Sequence, residues 1–186
     1  DDDTYKVMID NYEGGRIVAE EMYSLGHRNV GLITGPLSLN SSKNRLSGFI
    51  DYFKSKGIEI DDSHIYKGKY DINTGYLGVQ ELLKQKVTSI FTFNDLQAYG
   101  VIDYCKKNNI SLPQNMSLIG FDNQILSDII SPKLTSVEQP VAELSIDACN
   151  ILMNLINEKT PSKVIKLNPK LIIRESVRDI NNGNVN

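Results

Sequence analysis

The sequence has no apolar run approaching the ~20 residues that a membrane span requires, no surplus of positive charge, and only two cysteines. Each shortage excludes something. The first leaves no membrane partner to expect. Lys and Arg number 20 against 23 Asp and Glu, a net charge of −3. Gripping nucleic acid takes clustered Lys and Arg to neutralise phosphates, so this stretch is not expected to hold DNA itself. Cys105 and Cys149 lie in helical patterns with neither metal-ligand nor CxxC spacing. Both are expected to be buried free thiols in a reducing compartment. No apolar h-region opens the chain, so no signal peptide is read, and Asp1-Asp2-Asp3 reads as the start of an excised fragment.

Chemistry-bearing motifs are also scarce. No nucleophile–base–acid set, metal cluster, Walker loop or GxGxxG is present. An enzyme, a metal and a cofactor are therefore not expected. His27 follows Gly26 at a helix stop and is expected to satisfy that helix end.

What is present is alternation. Short apolar runs end in polar residues and a helical pattern follows. Tyr5–Ile9 ends at Asp10-Asn11, Val30–Ile33 at Thr34-Gly35-Pro36, Ile90–Phe93 at Asn94-Asp95, and Leu118–Phe121 at Asp122-Asn123. A short strand near Ile65 leads to Tyr70-Asp71. The intervening helices are expected to be capped by Asn11, by Ser41 or Ser42, by Thr74, and by Asn94 or Asp95. Their stripes recur at i, i+3, i+4 and i+7, as at Leu46, Phe49, Ile50 and Phe53. This predicts an α/β fold, a parallel-sheet three-layer sandwich with helices on both faces. In such a sheet the strand ends share one rim, where ligands bind.

Arg45 stands one turn past Ser41, near a strand end, where a guanidinium can fork onto two hydroxyls or a carboxylate. A surface Arg paired with an acid fits that spacing equally well. Asn94 and Asp122 end adjacent predicted strands, and amide plus carboxylate suits sugar hydroxyls; capping and turn chemistry are their other roles. Ile125, Leu126, Ile129 and Ile130 either fill local core or form a subunit interface. Pro140 opens a strongly apolar helix to Ile156 that needs a large partner surface. Val164–Leu167 and Leu171–Ile173 read as closing strands, and the tail from Asp179 as frayed.

The ordered runs Asp10-Asn11-Tyr12-Glu13-Gly14-Gly15, Leu25-Gly26-His27-Arg28, Arg45-Leu46-Ser47-Gly48-Phe49, Ser117-Leu118-Ile119-Gly120-Phe121-Asp122-Asn123 and Pro132–Pro140 closely resemble the effector-binding domain of LacI/GalR-type bacterial transcriptional regulators. The resemblance runs from about Tyr5 to Arg174. It implies a periplasmic-binding-protein-like (type I) fold, here its C-terminal lobe over 10–138. A helix over 140–157 would return to an absent N-terminal lobe, strands over 163–175 would close the C-terminal lobe, and 179–186 would be a disordered tail. The 140–157 helix is expected to swing away, pack on a neighbouring molecule or be poorly ordered.

By the same resemblance, Arg45, Tyr70, Asn94, Asp122, Gln139 and Ser41 would contact the effector. Tyr70 would lay its ring on the ligand's apolar face, though a loop tyrosine on the surface is its bland role; Gln139 equally suits hinge packing. Leu39 stands where purine-responsive relatives carry Arg, which favours a neutral sugar. The resemblance further implies a cytoplasmic homodimer joined through Leu96–Tyr104 and Ile125–Ile130, with operator DNA held only by an absent helix-turn-helix. A periplasmic sugar-binding transport component is the alternative.

Overall fold

The computed structural model describes residues 4–181. Its centre is a six-stranded sheet of β2 (Val30–Thr34), β3 (Ile65–Lys67), β4 (Ser89–Thr92), β5 (Ser117–Asp122), β6 (Thr135–Glu138) and β8 (Lys170–Ile172), in the order β3-β2-β4-β5-β6-β8. Every pairing is parallel except β6 with β8. From β2 the chain crosses to β3 on one side and returns to β4 on the other. That reversal opens a crevice beyond the carboxyl ends of β2 and β4.

Alternation along the strands splits the core in two. Leu32, Phe91, Phe93, Ile119 and Phe121 pack with Val18, Met22, Phe49 and Phe53 from α1 (Asn11–Ser24) and α2 (Asn40–Ser55). Ile33, Ile90 and Leu118 point the other way, onto Val79, Leu82, Ala98, Val101 and Cys105 from α3 (Ile72–Leu82) and α4 (Asp95–Lys107). A period of two in the strands and helices on both faces give the expected three layers. α1 and α2 approach backbone to backbone: a Cβ on Gly15 would stand 2.0 Å from the Arg45 carbonyl oxygen, and one on Gly48 2.0 Å from that of Tyr12. Only glycine permits this approach, and it fixes where α2 delivers Arg45.

β1 (Lys6–Ile9) and β7 (Val164–Leu167) form a separate two-stranded parallel sheet. Val164–Leu167 was expected to close the main sheet; only β8 does so. Helix α5 (Val141–Ile156) contacts β1 and β7. Ile151 is its one buried side chain, while Val141, Ile146, Leu152, Met153 and Ile156 stay exposed. The helix thus forms at full length and rests on that small sheet.

Several local expectations need correcting. The caps of α1 and α3 are Asp10 and Asp71, accepting from the Glu13 and Thr74 backbone N–H groups, not Asn11 and Thr74. α2 begins after Leu39 with no side-chain cap, so neither Ser41 nor Ser42 serves. The backbone N–H groups of Gly26 and His27, not an imidazole, satisfy the end of α1. The His27 ring instead bridges Thr88 (2.9 Å) and Ser117 (3.0 Å), and burial pulls its pKa down to about 4. Cys105 is buried, its thiol pushed up to about 12 by desolvation, but Cys149 is exposed on α5. Asp179–Asn181 is not frayed: the Ile180 N–H donates to the Leu25 carbonyl (2.8 Å) and Asn181 Nδ2 to that of Ser24 (2.6 Å). Residues 182–186 of the expected tail lie outside the described residues.

Candidate functional site

At the crevice, Ser41, Arg45, Tyr70, Asn94, Leu96 and Asp122 line a cleft of about 350 Å³. They follow four different parallel strands, and strand direction brings them together. Five of the six residues singled out from the sequence meet here. The sixth, Gln139, lines a neighbouring hollow with Glu138, Asn168 and Lys170, and reaches the cleft by donating Nε2 to Asp122 Oδ1 at 2.5 Å.

Arg45 is only 6% exposed and its guanidinium has no carboxylate partner among the described residues, which removes the surface-pair reading. Nε donates to Asn11 Oδ1 (2.8 Å), Nη1 donates to the Phe93 carbonyl, and the guanidinium carbon sits 3.5 Å from the Phe121 ring centroid. The side chain is thereby locked, and Nη2 has no partner among the described residues. Burial draws its pKa below the ordinary arginine value, against the opposing pull of Tyr70 and Asp122.

Asn94 both caps α4 and lines the cleft. Its Oδ1 accepts from the Gln97 N–H (3.0 Å) in a reciprocal capping box, leaving Nδ2 without a partner among the described residues. Asp122 ends β5 in a left-handed backbone conformation, φ 111°. Burial pushes its carboxyl up to about 6, with Arg45 and the Gln139 hydrogen bond acting the other way and Asp95 adding to the rise. Tyr70 is half-buried, its hydroxyl 2.6 Å from Ser42 Oγ. Leu39 is exposed and does not line the cleft. The result is donors from Arg45 and Asn94, an acceptor in Asp122 and apolar surface from Tyr70 and Leu96. Such a set can hold a small ring by its polar edge and its apolar face.

Three residues at or behind the site escaped the sequence reading. Leu96 follows the Asn94 cap by two positions, which was the available signal. Gln97 and Asp95 are both fully buried. Asp95, expected as a helix cap, instead accepts from the Gln124 N–H (2.8 Å), Ser127 Oγ (2.7 Å) and Ser136 Oγ (2.6 Å), tying α4 to the segment after β5 and to β6. That segment forms a short 3-10 turn over Ile125–Asp128 and runs on through Ile130. It divides its apolar residues: Ile130 packs on the core, while Ile125, Leu126 and Ile129 are exposed.

No helix among the described residues is long and apolar enough to cross a membrane, and no cluster of His, Cys, Asp and Glu there suits a metal. Residues 19–177 match the periplasmic binding protein-like domain model. The HTH-type transcriptional repressor PurR of Klebsiella pneumoniae is 35% identical over 176 residues, 92% of this chain and 52% of the repressor. A regulatory protein of the LacI family from Chloroflexus aggregans superposes with a TM-score of 0.89 at 28% identity, over 94% of this chain and 64% of that one. A LacI family transcriptional regulator from Enterococcus faecium with bound ribose gives 0.87 at 26% identity, over 94% and 66%. The chain spans about half the length of the curated relative it matches. With that likeness spread over nearly all of its own length, the chain belongs to the periplasmic-binding-protein-like domain family, as the effector-binding domain of a LacI/GalR-type transcriptional regulator.

Proposed function

We propose that the cleft binds a small neutral carbohydrate and that its occupancy modulates DNA binding by a helix-turn-helix domain of the whole protein. The observation carrying this reading is the convergence of Arg45, Asn94 and Asp122 with Tyr70 and Leu96 in one cleft. Two spare donors and a carboxylate match adjacent ring hydroxyls, and an aromatic ring matches the C–H face of a sugar. The ribose held by the Enterococcus relative supports the ligand class. Leu39, the uncharged residue before α2, adds no cation two positions ahead of the cleft-lining Ser41, which suits a neutral ligand.

In this reading the sugar binds one arrangement of the two lobes more tightly than the other, and the difference in affinity sets the shift. Gln139 joins Asp122 to the connection into α5 and is the contact through which ligand at Asp122 reaches the interlobe crossover. The protein acts in the cytoplasm as a homodimer, paired through the Leu96–Tyr104 stretch of α4 and the Ile125–Ile130 segment, and is not an enzyme. A transport role is disfavoured, because the relatives named above are regulators.

A thermal-shift screen of the chain tests this, since ligand at about a hundredfold over Kd adds about 2.7 kcal/mol of stability. Pentoses, hexoses and disaccharides form one arm and purine bases the other. Stabilisation by a sugar, lost in Asp122→Ala, is expected. Stabilisation by a purine base and by no sugar would overturn the carbohydrate assignment.

A further inference from the structure

Gln97 lies outside the cleft and is fully buried, yet its amide touches three of the strand ends that build it. Nε2 donates to the Thr34 carbonyl at the end of β2 (2.9 Å) and to the Lys69 carbonyl in the segment after β3 (2.8 Å). Oε1 accepts from the N–H groups of Phe93 (2.9 Å) and Asn94 (3.2 Å) after β4. The amide thus spends two donors and two acceptor sites, its full capacity.

The two donations fall at the last rung of the β2–β3 pairing and just beyond it. The β2–β3 ladder stops at Thr34 and Lys67, and the cleft residue Tyr70 comes three positions later. The outer end of its ring lies against Gly35: a Cβ there would stand 2.3 Å from Cζ and 2.7 Å from Cε2. Ser42 holds the hydroxyl at 2.6 Å. Gly35 follows Thr34 and Tyr70 follows Lys69, so the two carbonyls that Gln97 clamps directly precede the two surfaces that touch.

We propose that Gln97 is a positioning residue that seats the Tyr70 ring on Gly35 and so sets the width of the aromatic side of the effector cleft. Its relevance to effector affinity rests on the binding function proposed above; the geometric part does not. Gln97→Glu keeps the two acceptor contacts and removes the donor pair, while Gln97→Met keeps the length and removes all four contacts. Gly35→Ala displaces the same ring by a separate route, without touching Gln97.

The test is fluorine NMR of the ligand-free chain labelled with 3-fluorotyrosine, which reports nine tyrosines; Tyr70→Phe identifies the Tyr70 signal. In Gln97→Glu and Gly35→Ala the Tyr70 signal is expected to move towards that of free fluorotyrosine while the other signals hold. Gln97→Met serves if Gln97→Glu does not fold. An unmoved Tyr70 signal in a folded Gln97 variant overturns the inference. So does collapse of all nine signals together in both Gln97 variants, which would make Gln97 a general stabiliser. With D-ribose as probe, Gln97→Glu and Tyr70→Ala are each expected to lose about tenfold in affinity, the worth of one aromatic contact, and their combination no more than either alone. Additive losses would show that Gln97 does not act through the ring. A wild-type chain indifferent to D-ribose would count against that sugar alone and leave the ring signal to decide.

Discussion

Replacing Asp122 by Asn should make the protein more stable at neutral pH while abolishing effector binding. Burial raises the Asp122 carboxyl from 3.8 to about 6 in the folded chain. Between those values the folded state binds the proton that the unfolded state has released. The stability this carboxyl contributes is therefore complete below about pH 3.8 and is lost as pH rises through about 6. The ionised form costs about 3 kcal/mol at pH 7.5. Asn removes the charge, still accepts from Gln139, and tolerates the left-handed backbone at φ 111°. A buried amide pays its own desolvation, so the net gain should be about 1–3 kcal/mol. That is a rise in Tm of about 2–12 °C for a chain of this size. Urea denaturation at pH 7.5 and at pH 4 measures it, and the gain should vanish at the lower pH. A variant less stable than wild type at pH 7.5, or a difference unchanged by pH, would refute the reasoning. The trade of stability for affinity is what a binding carboxylate buried beside a locked guanidinium implies.

Arg45→Ala should weaken binding of the stabilising sugar by about 2–5 kcal/mol, the cost of truncating a buried charged hydrogen-bond partner; unchanged affinity in calorimetry would remove Arg45 from the site. Gly15→Ala should destabilise by about 3 kcal/mol or more, because its Cβ meets the Arg45 backbone carbonyl rather than a yielding side chain; chemical denaturation reads this directly, and a neutral result would contradict the packing. His27 should contribute about 3 kcal/mol above pH 6.5 that is lost as pH falls towards about 4, because its folded pKa lies below its ordinary value. His27→Gln should flatten the stability profile across that window, and parallel profiles would reject a buried neutral imidazole. Ile125→Asp combined with Ile129→Asp should convert a dimer to a monomer in analytical ultracentrifugation, since those two isoleucines are 85% and 71% exposed; an unaltered dimer would place the interface elsewhere.

The main sheet and its two helical layers were legible because strand and helix periods differ and each run ends at a polar residue. β7 was not. Val164–Leu167 alternates exposed and half-buried residues, a pattern equally suited to the edge of either sheet, and its partner β1 lies far away in sequence. Cap identities were missed by one to three residues. Asp10-Asn11 offers two adjacent side chains of similar capping propensity, and only backbone geometry selects between them. Cys149 was misplaced because its helix is apolar on more faces than its contacts with β1 and β7 cover.

The site shows a sharper division. Most of the residues that face the cleft could be found: Asn94 and Asp122 stand at strand ends, Arg45 follows one, and the family resemblance pointed to Tyr70 and Ser41, whereas Leu96 was missed. The residues that hold them in place could not. Gln97 and Asp95 stand inside α4 among ordinary polar helix residues, and nothing in their spacing marks them as buried. Apart from the nearby Phe93 and Asn94 N–H groups, their partners are backbone groups and hydroxyls from segments 28–63 residues distant, and backbone groups have no side-chain identity to leave in the sequence. A buried Gln or Asp survives only when every polar atom finds such a partner. Burial of these two is therefore a property of the completed fold, as is the placement of the Tyr70 ring that Gln97 sets. The chemical class of the site can be read one residue at a time, whereas its dimensions depend on contacts that exist only once four strand ends have met.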